Sequence, residues 1–173
     1  ISRIEHDKYV WIDRFTARNL ELTQSTHEKG VPLIQILDKT ISPMGSRLLK
    51  RWIILPLKDV LQINERLDAV ELFIKEPDTH TNIVQYIKQI GDLERLISKV
   101  PMGKINPREV IQLKRALQAI QPIKEICSNS NNNGLKKIGE QLQLCQLIKN
   151  KIDTTLNEDA PVQIQKGNAI KQG

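Results

Sequence analysis

Aromatic side chains are scarce in this chain: two Trp, two Tyr and two Phe make 3% of 173 residues. A surface that stacks single-stranded bases needs several exposed rings, so the composition argues against that class of nucleic-acid binder. Long apolar runs are missing too. No stretch reaches the roughly 18 apolar residues of a membrane-crossing helix, and no membrane partner is expected. The start, Ile1-Ser-Arg-Ile-Glu5, has no signal-peptide pattern. Both ends read as cut, so a piece of a longer, cytoplasmic protein is expected. Cys127 and Cys145 are the only cysteines; they lack the second pair that a zinc site needs, and read as two reduced thiols rather than a disulfide. The phosphate loop Gly-x-x-x-x-Gly-Lys-Ser/Thr is absent, as is Gly-x-Gly-x-x-Gly. His6, His27 and His80 stand far apart, and no carboxylate pair or Ser/His/Asp set can be nominated for catalysis.

What the chain does have is aliphatic. Hydrophobic residues make 39% and charged residues 27%, with Leu and Ile dominant. That composition suits helices packed by interlocking ridges. Twenty-six basic and twenty acidic residues leave a net charge of +6. This is compatible with a nucleic-acid partner, but the charge is spread along the chain.

Caps and stripes predict a mainly helical fold, a layered multi-helix bundle with short extended or strand segments near both ends. Residues 1–13 read as an extended lead-in, with a strand an alternative over 8–13. Residues 14–22 read as a short helix or turn, and 33–37 as a short helix opened by Pro32. Ser42-Pro43 is a helix start, since Ser caps open N–H groups and Pro fits the first helical position. Pro56 biases Leu55 away from helical dihedrals and stops it. At about 100° per residue, Met44, Leu48, Leu49, Trp52 and Ile53 fall on one side of this helix, and Arg47, Lys50 and Arg51 on the other. The apolar side is expected to hold the core. The basic side reads first as solvated charge, and second as a ridge for DNA phosphate or an acidic neighbouring domain. Arg14 and Arg18 form a weaker basic pair.

Asp59 begins a helix with Ile63, Leu67, Val70 and Ile74 as its stripe, closed by Pro77. Another is expected over 79–89, and a short one after the cap at Asp92. Met102-Gly103 is a break. Asn106-Pro107-Arg108-Glu109 is the best cap in the sequence and opens a long helix, which Pro122 should kink or divide. Residues 128–134 read as a polar loop. A last helix is expected over 135–155, striped by Ile138, Leu142, Cys145, Ile148 and Ile152. An exit segment over 157–173 follows, with a strand at 161–165 and a turn at Lys166-Gly-Asn168. No internal repeat is present, and 1–173 reads as a single helical domain.

Ordered motifs carry a resemblance. Ile12-Asp13-Arg14-Phe15-Thr16-Ala17-Arg18-Asn19-Leu20-Glu21-Leu22 resembles Leu-Asp-x-x-Thr-x-x-Asn-Leu-Glu-Leu at the start of the core, or lever, domain of the MutS family of DNA mismatch repair proteins. Leu37-Asp38-Lys39-Thr40 through Pro43-Met44-Gly45-Ser46-Arg47-Leu48-Leu49-Lys50-Arg51-Trp52, then Pro56-Leu57, is similar to the family's central signature. Glu65-Arg66-Leu67-Asp68-Ala69-Val70, Gly91-Asp92-Leu93-Glu94-Arg95-Leu96, Asn106-Pro107-Arg108-Glu109 and Asp159-Ala160-Pro161 follow in order. Ser42 stands where Thr is frequent and Ile12 where Leu is frequent. The resemblance implies a multidomain ATPase using ATP and Mg, a homodimer, that recognises mispaired bases in double-stranded DNA and works with a MutL-type repair partner. A recombination paralogue is the alternative within the family. The mismatch-reading Phe-x-Glu and the phosphate loop lie in other domains of such proteins, so no catalytic, cofactor or metal residue is carried over. The implied role is a helical link between ATPase and DNA clamp, without catalysis of its own. The alternatives are an autonomous helical DNA-binding module or a protein–protein interaction module.

Overall fold

A computed structural model describes residues 8–171. The chain forms two compact units, one up to Leu72 and one from Phe73. Among the described residues it is almost wholly helical, with two isolated β-bridges and no strand. Residues 1–7 of the expected lead-in, His6 included, and 172–173 of the expected exit lie outside the described residues.

The first unit holds α1 (Arg14–Asn19), α2 (Leu33–Leu37), α3 (Pro43–Ile54) and most of α4 (Val60–Lys75). The expected starts hold. The Asp13 carboxylate accepts from the amides of Phe15 at 2.8 Å and Thr16 at 3.0 Å. The Ser42 hydroxyl accepts from the Gly45 amide at 3.1 Å, with Pro43 in the first turn. Asp59 accepts from the Leu61 amide at 2.9 Å, and the Gln62 side chain donates to the other Asp59 oxygen at 2.9 Å. Tyr9 pairs with Leu57 in an antiparallel bridge, flanked by the Val10 amide donating to the Pro56 carbonyl at 2.8 Å.

The core does not lie on α3. Leu48 is 46% exposed and Trp52 39%, and no residue of α3 is buried. The physical reason is the lack of a large partner: α3 packs against α2, which has only five residues. Nor is the α4 stripe covered, for Leu67, Val70 and Ile74 are each more than half exposed.

In the second unit the core is built around α7 (Pro107–Asn129), a single run of 23 residues packed by α5 (Pro77–Ile90), α6 (Leu93–Lys99), α8 (Asn133–Gln141) and α9 (Gln146–Thr155). Ile111, Ala116, Leu117, Ala119, Ile120, Ile123 and Cys127 are buried on it. At about 100° per residue these positions spread round most of the helix, the pattern of a helix enclosed by others rather than lying on a surface. Each large aliphatic chain buried this way stabilises by about 1.5–3 kcal/mol, and the two alanines let neighbouring helices come close. Ile83, Ile90, Leu96, Leu135 and Ile152 fill in from the surrounding helices.

Four expectations are corrected here. Pro122 does not divide α7. The carbonyl that its missing N–H would have bonded belongs to Gln118, an exposed residue that water can serve. Pro77 opens α5 instead of only closing α4, because its fixed φ suits a first turn. The loop expected over 128–134 shrinks to 130–132, since Asn132 accepts from the Leu135 amide at 3.0 Å and caps α8. The single helix expected over 135–155 is two. α8 ends at Gln141, and Cys145 adopts a left-handed φ of 47° before α9. The Lys124 ammonium donates to the Leu142 carbonyl at 2.7 Å, satisfying an acceptor that the break releases. The break lets α8 and α9 each lie against α7, so Leu135 and Ile152 are buried while Ile138 and Ile148 stay about half exposed.

No strand forms at 161–165. Gly167 at φ 73° and Asn168 at φ 56° make the expected turn and send the chain back, so that Ile170 bridges to Leu156 and leaves 161–165 without a strand to pair with. A 3-10 turn over Ile164–Lys166 takes its place. The Asn157 side chain staples the return, donating to the Asn168 carbonyl at 2.9 Å.

Gly139 sets the spacing of α7 and α8. A Cβ there would stand 2.6 Å from the Ser128 hydroxyl and 2.8 Å from the Ser128 backbone nitrogen. Gly139→Val should therefore destabilise by about 1–3 kcal/mol through overpacking, seen as a lower urea midpoint; an unchanged midpoint would mean that the two helices are not held this close.

Candidate functional site

The residues nominated for contact with DNA phosphate or a neighbouring domain, Arg47, Lys50 and Arg51, lie within α3 and are all exposed. Their spacing places them on one side of the helix. The ridge is held by the junction that starts α3. Asp38, just after α2, accepts from the Thr40 amide at 3.0 Å and the Thr40 hydroxyl at 2.6 Å, and its second oxygen accepts from the Ser46 hydroxyl. The Leu-Asp-x-Thr…Ser-Pro-x-Gly-Ser order thus has a local explanation. It folds a tight turn whose carboxylate reaches across to the first turn of the next helix. The hydroxyl of Ser46, then the hydroxyl and the amide of Thr40, hold the Asp38 carboxyl below its ordinary range.

Two further contacts were not signalled by motif order. The Arg66 guanidinium sits 3.7 Å from the centre of the Trp52 ring, a cation–π contact between α4 and α3. Arg66 is a fourth cation beside the helix that carries the ridge. In the second unit Lys114, 3% exposed, donates to Asp153 of α9 at 3.0 Å and to Glu158 in the segment beyond it. Arg115 reaches the other Glu158 oxygen at 3.4 Å. The Lys114 hydrogen bond, followed by its charge and that of Lys171, holds the Asp153 carboxyl low. Burying an ammonium is costly unless it is paired, so a lysine inside an aliphatic helix is the only sequence sign of this tie. At the far end of the same helix Glu109 and Asn106 complete the capping box at 3.1 and 3.0 Å, and Lys99 pairs with Glu109. That pairing, then the Asn106 amide, keeps the Glu109 carboxyl low.

Among the described residues no group of three His, Cys, Asp or Glu could hold a metal ion, and His27 and His80 are exposed. The sequence has no phosphate loop to hold a nucleotide, and no described acidic cluster is suited to its magnesium. Cys127 is buried and Cys145 partly so, both as free thiols, and burial pushes the Cys127 thiol up. No described helix is long and apolar enough to cross a membrane. What the residues provide is tethering: charged clasps between consecutive elements, and an exposed basic side on α3.

Comparison with known proteins gives a consistent answer. The family described as MutS domain III matches residues 15–172. Over all 173 residues the chain is 54% identical to a protein of Bacteroides fragilis named DNA mismatch repair protein MutS. It is 54% identical to the protein of that name from Christiangramia forsetii, and 53% identical to that from Flavobacterium johnsoniae. It spans 20% of the length of each of these relatives.

The Asp38 junction yields a pH signature. A carboxyl whose pKa is lowered by folding stabilises fully above its unfolded value, about 3.9 for Asp, and that stabilisation is lost as pH falls through the lower folded value. Asp38→Asn should therefore lower the urea midpoint at neutral pH and make its fall below about pH 4 shallower; an acid limb as steep as the parent's would rule the junction out as a contributor.

Proposed function

The chain belongs to the MutS family of DNA mismatch repair proteins, and from that premise we propose that it is the mechanical link of such a protein. In this reading its helices connect a nucleotide site to a DNA clamp, both outside the 173 residues. The parent would be a cytoplasmic, homodimeric ATPase that uses ATP with Mg, binds mismatched double-stranded DNA and engages a MutL-type partner. The chain itself would do no catalysis. α7 is the observation that carries the reading: 23 continuous residues, about 35 Å at 1.5 Å per residue, enclosed by four helices. A rod so held moves as a body and passes displacement on rather than absorbing it.

Coupling also needs an element with two states that both sites bias. The turn at Met102-Gly103 is suited to be its hinge. Gly103 sits at φ 62°, its amide donates to the Val100 carbonyl at 3.0 Å, and Met102 is exposed. The basic side of α3 is assigned to a neighbouring acidic domain rather than to DNA bases. Its cations stand on a helix already engaged by α2 and Arg66, with no recognition motif beside them.

Two experiments on the complete protein bear on this. Ile120→Ala leaves a cavity in the packing of α7 worth about 2–5 kcal/mol. ATP-triggered release from a mismatched duplex should slow severalfold while nucleotide binding stays intact; unaltered release, in a variant whose lowered unfolding midpoint proves the packing loosened, would sink the strut. For the ridge, each phosphate contact adds about 0.9 to the slope of log affinity against log salt. Lys50→Glu with Arg51→Glu should leave that slope unchanged, and a decrease of about 2 would assign the ridge to the DNA backbone instead.

A further inference from the structure

One groove of the first unit plays no part in that reading. It runs between α1 and the loop over 23–30. Arg14 and Arg18, one helical turn apart, line it together with Phe15, and Ile12, Ala17 and Ile54 supply an apolar base. Arg14 and Arg18 are exposed, and neither pairs with a carboxylate among the described residues. Phe15 is 80% exposed. The acids nearby are already engaged. Asp13 caps α1 and accepts from the Thr16 hydroxyl at 2.6 Å. Glu21 accepts from the Ser25 hydroxyl at 3.0 Å, the Thr26 amide at 2.8 Å and the Thr26 hydroxyl at 2.7 Å.

The wall opposite α1 is preformed. Glu21 takes a left-handed φ of 48°, a conformation that a non-glycine residue holds only where its surroundings fix it. Gly30 closes the loop where a Cβ would fall 1.8 Å from the Ser25 hydroxyl. The Leu33 and Ile34 amides donate to the Glu21 and Leu22 carbonyls at 2.9 and 3.0 Å and tie off its far end. A rigid wall, an apolar base, an exposed ring and two outward guanidiniums therefore face one space.

We propose that this groove docks an acidic segment of the same polypeptide lying outside the 173 residues. The segment carries two carboxylates beside one bulky aliphatic or aromatic side chain. Arg14 and Arg18 are about 6 Å apart along the helix, which matches carboxylates two residues apart on an extended chain. The apolar base selects a peptide over a nucleic-acid backbone, which has nothing apolar to place there. The source follows from strength and length. Two surface ion pairs and one apolar side chain make a weak site, filled steadily only when the occupant is tethered at high effective concentration. The relatives supply the tether, since about four fifths of their length lies outside the matched part.

The test uses the complete protein with a photo-crosslinking amino acid in place of the exposed Phe15. After irradiation, purified and dilute, the crosslink should lie within the same chain, on a segment bearing at least two Asp or Glu. Its yield should drop about tenfold in Arg14→Glu with Arg18→Glu, and fall at about 1 M salt, where the Debye length is about 3 Å; Arg14→Lys with Arg18→Lys should keep most of it. A crosslink to added duplex DNA, to a second copy or to a segment without acids overturns the proposal, as does a yield indifferent to charge reversal or no crosslink at all. None of these outcomes depends on ATP–DNA coupling, so the groove and the strut stand or fall separately.

Discussion

A helix enclosed by other helices can satisfy its polar groups only where those neighbours provide partners, and α7 imposes that condition on the second unit. Its buried Ala116, Leu117, Ile120 and Ile123 need apolar cover on more than one side. α5, α6, α8 and α9 supply it. Its one buried cation, Lys114, then has to be met from outside the helix, and Asp153 and Glu158 meet it. The capping box at Asn106 and the Lys124 contact to Leu142 solve the same problem at the two ends of that enclosure. Packing therefore dictates where the ion pairs are, and they record which segments α7 holds.

The first unit works under a different constraint. Leu22 is its only buried large aliphatic residue among those described, while Val60, Leu61, Leu67 and Val70 of α4 are widely exposed. Its order comes from polar clasps between consecutive elements: Asp13 on α1, Glu21 on the loop, and Asp38 between α2 and α3. Such clasps are short-range and can be assembled from a few neighbouring residues. Long-range packing gives way here to local hydrogen bonding, and the two longest motifs that mark the family, over 12–22 and 37–57, lie in this part of the chain.

That contrast decides what could be read in advance. Ser42-Pro43, Asp92 and Asn106-Pro107-Arg108-Glu109 fix helix starts through side chains within three residues of the amides they cap, so the sequence shows them directly. The exposure of Arg47, Lys50 and Arg51 follows from periodicity in the same way. The position of the core does not. An apolar stripe on α3 and an apolar helix at α7 look alike until their neighbours are known, and only α7 has large ones. The break before α9 was hidden because Cys145, not glycine, takes the left-handed turn. Lys114 with Glu158, and Arg66 with Trp52, join residues 44 and 14 positions apart, where spacing carries no signal.

The return over 157–170 has an implication for how such chains can diverge. Its two ends are stapled by the Leu156–Ile170 bridge and the Asn157 side chain, while 162–168 is exposed throughout. Closing a loop costs only slowly more as it lengthens, about 0.6 kcal/mol per doubling. Residues added between Pro161 and Gly167 would bulge into solvent, and the stapled ends, with Ala160 and Ala169 buried beside them, would keep the direction in which the backbone leaves. That short arc is where this chain could lengthen without the register of α7 having to answer for it.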